Sequence, residues 1–282
     1  MALSNTSEEN TPALGSLPLA GEIALVTGSG RGLGNTIARK LMSMGANIVL
    51  HDISEEAPAR FGEVESLSAL AESMSNQVSD VVAVTGDITD PDAIKAMVAD
   101  AKKKLGTITI LVNCAGGDVG ADGNKPNPAS PTDFKIEDLH AVMNRNLIGT
   151  MLMCREIAPL MVEAQKGTII NIASILAHFG SSIEISYGCA KAAIVHYTRC
   201  LADEVRESGV RANVISPGPT MTARFLATRE TDPKMRENGP SLARYAKPEE
   251  IADAISFFAS PDSRFVSGQV LLVDGADNLF AV

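Results

Sequence analysis

Seven short apolar runs punctuate the chain: Ile23–Thr27, Asn47–His51, Val81–Thr85, Ile108–Val112, Thr168–Ile172, Arg211–Ile215 and Gln269–Val273. Most are near-continuous in Val, Ile, Leu and Ala, which suits strands covered on both faces rather than on one. Longer stretches with helix-start signals separate them. Asp90-Pro91-Asp92 gives an N-cap with Pro at the first helical position, and Lys247-Pro248-Glu249-Glu250 repeats the Pro-then-acid order. Strand–helix–strand alternation predicts a parallel sheet with right-handed crossovers and helices on both faces. The expected fold class is α/β, a doubly wound parallel sheet.

With 282 residues and no repeat or linker, residues 20–282 read as one domain. Residues 1–19 lack both a basic and an apolar signal region, so they are expected to be a disordered tail. The chain has no apolar run near the ~18 residues that a membrane span needs. A net charge of −10 and 4% aromatic residues argue against a nucleic-acid partner. Four scattered cysteines and four scattered histidines make neither a metal-ligand spacing nor a disulfide framework. Buried free thiols in a cytoplasmic protein, with no metal, are the expectation, Cys189 and Cys200 included as packing residues. Two loops break the alternation, residues 116–131 and residues 217–246, each just after an expected strand, where open α/β sheets bind ligands.

The first strand runs into Thr27-Gly28-Ser29-Gly30-Arg31-Gly32-Leu33-Gly34. Glycines there permit a tight turn and close approach to a pyrophosphate, met by the positive end of the following helix. Asp52 closes the second strand, 18 residues after Gly34. An acid there accepts from ribose hydroxyls and repels a 2′-phosphate, which favours NAD over NADP, although Arg31 and Arg39 are cations near enough in sequence to serve such a phosphate. Asp87-Ile88 after the third strand and Asn113-Cys114-Ala115-Gly116 after the fourth complete the expected cofactor cleft.

Ser174 ends the fifth strand, Tyr187 follows thirteen residues later, and Lys191 lies one helical turn beyond it. With these residues the chain resembles the classical short-chain dehydrogenase/reductase family over about residues 21–275. The matching positions are Gly28, Gly32, Gly34, Asp87, Asn113, Asn146, Ser174, Tyr187, Lys191, Pro217, Gly218, Thr222 and Asp274-Gly275, in the family's order. Three departures stand out: Cys114 where the family has a second Asn, a longer loop from Gly117-Asp118, and Ala276 in place of Gly.

The resemblance implies about seven strands and a homodimer or homotetramer assembled through helices near Lys135–Gln165 and Ser186–Ser208. It implies a cytoplasmic NAD-dependent enzyme that interconverts a secondary alcohol and a ketone on a small polar substrate. Tyr187 would be the acid/base, its phenol drawn down by Lys191. Ser174 would donate to the substrate oxygen, and Asn146 would hold a relay water. Ser29, Arg31, Leu33, Ile88, Ala115, Gly116 and Thr220 join the cofactor set. Leu176, His178, Glu184 and Arg224 are candidate substrate contacts. Six basic residues against three acidic ones between Arg224 and Lys247 suggest an anionic substrate, with Arg224 or Arg229 as its clamp and Lys125 at the same mouth. Two other readings stay open: an NADPH-dependent 3-ketoacyl-type reductase, and a non-catalytic dinucleotide-binding sensor or scaffold.

Overall fold

Every apolar run of the sequence becomes a strand of one parallel sheet in the computed structural model, which describes residues 17–237 and 239–279. The first half contains β1 (Ile23–Val26), α1 (Gly32–Ser43), β2 (Asn47–Asp52), α2 (Leu67–Met74), β3 (Val81–Thr85), α3 (Pro91–Leu105) and β4 (Ile110–Asn113). A small antiparallel hairpin, β5 (Ala129–Ser130) with β6 (Asp133–Phe134), then leads into α4 (Ile136–Met143) and α5 (Gly149–Glu163). The second half adds β7 (Thr168–Ile172), α6 (Ile185–Val205), β8 (Arg211–Pro217), α7 (Ala223–Thr228), α8 (Pro248–Ala259) and β9 (Val270–Val273). Sheet order is β3-β2-β1-β4-β7-β8-β9. The order reverses between β1 and β4, so the helices diverge there and leave a crevice at the strand ends.

Two cores explain why the strands carry so few polar residues. On one face Val26, Leu50, Val112 and Ile170 pack under Leu41, Leu70, Ile251 and Ile255 of α1, α2 and α8. On the other, Leu25, Val49, Leu111 and Ile169 meet Met97, Met153, Ile157 and Leu201 of α3, α5 and α6. Helix starts follow the sequence signals. Asp90 accepts from the Asp92 and Ala93 amides at the head of α3, and Glu250 accepts from the Lys247 amide at the head of α8.

Two expected boundaries change. The tail assigned to residues 1–19 lies outside the described residues as far as residue 16, but residues 17–19 belong to the fold. Leu19 is fully buried, and its amide donates to Met44 O at 2.9 Å. The helix expected over Lys135–Gln165 is interrupted by a π turn, Asn144–Ile148, between α4 and α5. Among the described residues no helix is long and apolar enough to cross a membrane.

Candidate active site

The turn after β1 is fixed by its neighbours. The Thr27 amide donates to Val112 O, while its hydroxyl accepts from the Cys114 and Ala115 amides, both at 3.0 Å. Gly28 has φ +66°, and a Cβ there would press on Ala115 Cα at 3.0 Å. A Cβ on Gly34 would drive into the Gly28 carbonyl, which is why α1 can start so close beneath the turn. Leu33 packs on the core, and Thr222 lies across from Gly32, 3.7 Å from where a Cβ would stand.

These residues suit a dinucleotide. The Gly32 amide at the head of α1 already takes an anion, the Glu63 carboxylate, at 2.9 Å. Such an amide at a helix N-terminus is a natural seat for phosphate. Asp52 is 8% exposed and spends Oδ1 on the Ile53 amide. Residue 30 is glycine between its Oδ2 and the Pro58 ring: a Cβ there would come within 2.7 Å of Oδ2 and 2.5 Å of Pro58 Cγ. Arg31 is committed to Ala57 O at 2.5 Å and to the Phe61 ring, and Arg39 to Asn35. At the far wall, the Gly218 amide donates to Val273 O after Pro217, Thr220 donates to Gly218 O, and Thr222 caps α7.

Four expected cofactor residues have their side chains engaged within the protein itself. Ser29 is fully buried and its hydroxyl accepts from the His51 amide at 2.9 Å, so it ties the turn to β2. Asn113 points into the sheet, donating to Asn171 at 2.8 Å, with its own Oδ1 lacking a hydrogen-bond partner. Asp87 caps its own turn through Thr89, while Ile88 is buried in the core beneath Gly149. A residue that the sequence reading passed over does more. His51 accepts from the Gly28 amide through Nδ1 and lies 3.0 Å from Gly86 O through Nε2, joining three strand ends. Burial holds its pKa below the usual imidazole value.

The Ser174, Tyr187, Lys191 and Asn146 side chains gather at the end of β7. Ser174 caps a short turn, Ile175–Ala177, accepting from the Leu176 amide, and favours the phenolate of Tyr187. Lys191 is 4% exposed, donates to Ile172 O at 2.7 Å, and lies 5.5 Å above the Tyr187 ring. The expected depression of the Tyr187 phenol is absent in the protein alone. Burial pushes it up to about 12, against the weaker pull of Arg229 and Arg224. Burial also drives Lys191 down to about 8. Asn146 is fully buried in the π turn and clasps Gly117, accepting from its amide at 2.8 Å and donating to its carbonyl at 3.0 Å. A Cβ on Gly116 would stand 2.5 Å from Asn146 Oδ1 and 3.6 Å from Lys191 Nζ, so glycine keeps the gap between those two groups open.

Charged residues from three segments line the mouth. Glu184 is 5% exposed and sits in the left-handed region at φ +57°. Its Oε1 meets Lys125 at 2.6 Å and Arg229 at 3.1 Å, so it ties loop 116–131 to loop 217–246. Arg224 donates to Gly116 O at 3.1 Å and stands in the field of Tyr187. Arg244 and Arg236 do not join them; they pair with Glu250 and Thr231. The expected anion clamp is thereby weakened, since the Arg229 charge is spent on Glu184. Leu176 flanks α6 at Gly188, and His178 Nε2 lies 2.9 Å from Ser216 Oγ. Asp118 was missed at this mouth: it is 8% exposed, and neither carboxylate oxygen has a hydrogen-bond partner. Cys189 and Cys200, expected to pack inside, are exposed on α6. Among the described residues no group of His, Cys, Asp or Glu is placed to hold a metal ion.

This fold and strand-end cleft define a short-chain dehydrogenase/reductase, and the comparisons agree. The family model described as Enoyl-(Acyl carrier protein) reductase matches residues 28–276. The 3-oxoacyl-[acyl-carrier-protein] reductase FabG of Thermotoga maritima is 33% identical, over 91% of this chain and 98% of its own length. Glucose 1-dehydrogenase of Gluconobacter oxydans is 32% identical over 93% of each. A putative gluconate dehydrogenase from Agrobacterium tumefaciens superposes with TM-score 0.78 at 28% identity, over 92% of this chain and 96% of that one. The chain belongs to the short-chain dehydrogenase/reductase family. It is an oxidoreductase acting on CH–OH groups, in a family that uses nicotinamide dinucleotides.

Proposed function

We propose that the protein passes a hydride between NAD and a secondary alcohol or ketone on a small polar substrate, with Tyr187 as acid/base. One observation carries this reading: the buried Lys191 amine lies 5.5 Å over the Tyr187 ring, with Ser174 at the same strand end. When bound, the nicotinamide supplies or accepts the hydride and, oxidised, adds a positive charge to the cleft. In reduction Tyr187 gives its proton to the substrate oxygen, and in oxidation it takes that proton back. A phenol near 12 is a poor base at neutral pH, so the Lys191 charge must favour the phenolate as the cleft fills. Ser174 donates to the same substrate oxygen and fixes its distance. The gap that Gly116 leaves between Asn146 and Lys191 suits a relay water that refills the proton.

Preference for NAD rests on Asp52, with Arg31 and Arg39 both committed to other acceptors. The 3-ketoacyl reductase relatives keep NADPH as the competing reading. Rates with NAD⁺ and NADP⁺ over a panel of alcohols decide between them: kcat/KM favouring NADP⁺ overturns the assignment. Self-association across α4–α5 and α6, where Ile148 and Met151 expose apolar surface, is checked by light scattering.

A further inference from the structure

We propose that His51 is a positioning residue for the dinucleotide: its unprotonated Nδ1 holds the Gly28 turn in place, and a proton taken up by the ring releases that turn and weakens binding. The inference rests on the dinucleotide reading of the Gly28–Gly34 turn. His51 is 2% exposed, so its ring acts through Gly28 rather than by touching a ligand.

The two backbone partners fix the tautomer. The Gly28 amide can only donate, so Nδ1, at 3.3 Å, accepts; Gly86 O can only accept, so Nε2, at 3.0 Å, carries the hydrogen. The ring is therefore neutral, and it spans from the end of β1 to the end of β3. Gly28 is confined on another side by β4, since a Cβ on it would stand 3.0 Å from Ala115 Cα. The backbone of residue 51 ties the next residue of the turn: its carbonyl accepts from the Ser29 amide at 2.8 Å, and its amide donates to Ser29 Oγ at 2.9 Å. Those backbone ties survive a change of side chain, so substitution at residue 51 tests the ring alone.

A proton on Nδ1 would set one N–H against another. The Gly28 amide would lose its acceptor, the charged ring would keep an unpaired donor in a buried place, and the turn would have to move. The charged groups around the ring are Asp52, next along β2, and Asp87, after β3. Both favour the proton, and burial outweighs them. Neutral His51 thus prevails at pH 7, and proton uptake belongs to acid conditions. Dinucleotide and proton then compete, each weakening the other by the same factor.

Calorimetric titration with ADP-ribose reads this end of the cleft without turnover and without the nicotinamide end, where Tyr187 and Lys191 lie. His51→Asn keeps an acceptor at the δ position and cannot titrate, whereas His51→Leu offers no acceptor. At pH 7.5 the Asn variant is expected within about fivefold of wild type and the Leu variant about tenfold or more weaker. Between pH 7.5 and pH 5.5 the wild type should weaken by about twofold or more, while His51→Asn stays flat. In turnover, His51→Leu should raise KM for NAD⁺ and leave kcat and the KM for alcohol nearly unchanged. If His51→Leu does not fold, the comparison of wild type with His51→Asn across pH decides alone. An Asn variant that keeps the wild-type pH dependence, or a wild type whose affinity ignores pH, overturns the proposal and leaves the dinucleotide reading standing. A wild type that binds neither ADP-ribose nor NADH overturns both.

Discussion

At the dinucleotide end of the cleft the chain holds itself mainly by backbone. Thr27, Ser29 and Gly86 amides bond to carbonyls of neighbouring strands, and glycines let the turn sit against α1 without side chains between them. At the substrate end the holding is done by charge. Lys125, Glu184 and Arg229 come from separate segments and meet across the mouth, while Asp118 is left without a partner. A scaffold of backbone bonds accepts one cofactor geometry. A scaffold of ion pairs can be re-cut by exchanging a few side chains, which suits the end that selects the substrate.

The largest break in that contrast comes from Tyr187→Phe. It removes a proton donor and little contact area, so turnover should fall about 10³-fold. The dissociation constant for NADH, read by fluorescence titration, should stay within about threefold of wild type; a loss beyond a factor of ten would join the two ends that the contrast separates. Next comes Asp52→Ala, which should raise KM for NAD⁺ about 10- to 100-fold through lost charged hydrogen bonds and narrow the gap to NADP⁺. Unchanged discrimination would mean that the carboxylate does not face the ribose.

Asp118→Asn sharpens the contrast through stability. Burial raises this carboxyl from its ordinary value near 3.8 to about 6, with Glu184 raising it further and Lys125, Arg229 and Arg224 opposing. A folded-state pKa above the unfolded one means that the fold disfavours the charged form. The cost is absent below about pH 4, grows through pH 4–6, and is complete above it. A rise of about two units corresponds to about 3 kcal/mol, so the amide should stabilise the protein by that order at pH 8 and by nothing at pH 3.5. Urea denaturation at both pH values reads it, and a gain independent of pH would contradict this origin. The smallest effect is expected of Glu63→Ala. Removing the carboxylate at the head of α1 should tighten dinucleotide binding about two- to fivefold. Weaker binding would show that Glu63 helps the cofactor rather than competing with it.

The same contrast explains what the sequence made legible. The five inner strands were readable because burial on both faces favours near-continuous apolar runs, the partly exposed edge strands β3 and β9 because their Val and Leu content is high, and strand ends moved by two residues at most. The Gly28–Gly34 turn and the Tyr187–Lys191 spacing were readable because both are local. The internal bonds of Ser29 and Asn113 were not legible because position in a motif does not reveal which way a short polar side chain turns. Ser29 bonds β2 and Asn113 bonds Asn171, 58 residues on. Asp118 and the Lys125–Glu184–Arg229 bridge were hidden for a stronger reason. Their partners are set by loop folding, and nothing in a loop composed of Gly, Asn and Pro fixes which charge meets which.

Asn146 owes its place to an arithmetic feature of the chain. Each residue of an α-helix turns it by about 100°, so the π turn at Asn144–Ile148 sets α5 out of phase with α4 by one residue. Asp138, which takes the Ala121 amide, and Val142 are seated by α4; Met153, Cys154 and Ile157 are seated in the core by α5. Deleting one residue between 144 and 148 would let an unbroken α-helix close with both sets still in their seats, but without the turn that holds Asn146 against Gly117. The position of the asparagine is thus encoded in a residue count as much as in a side chain.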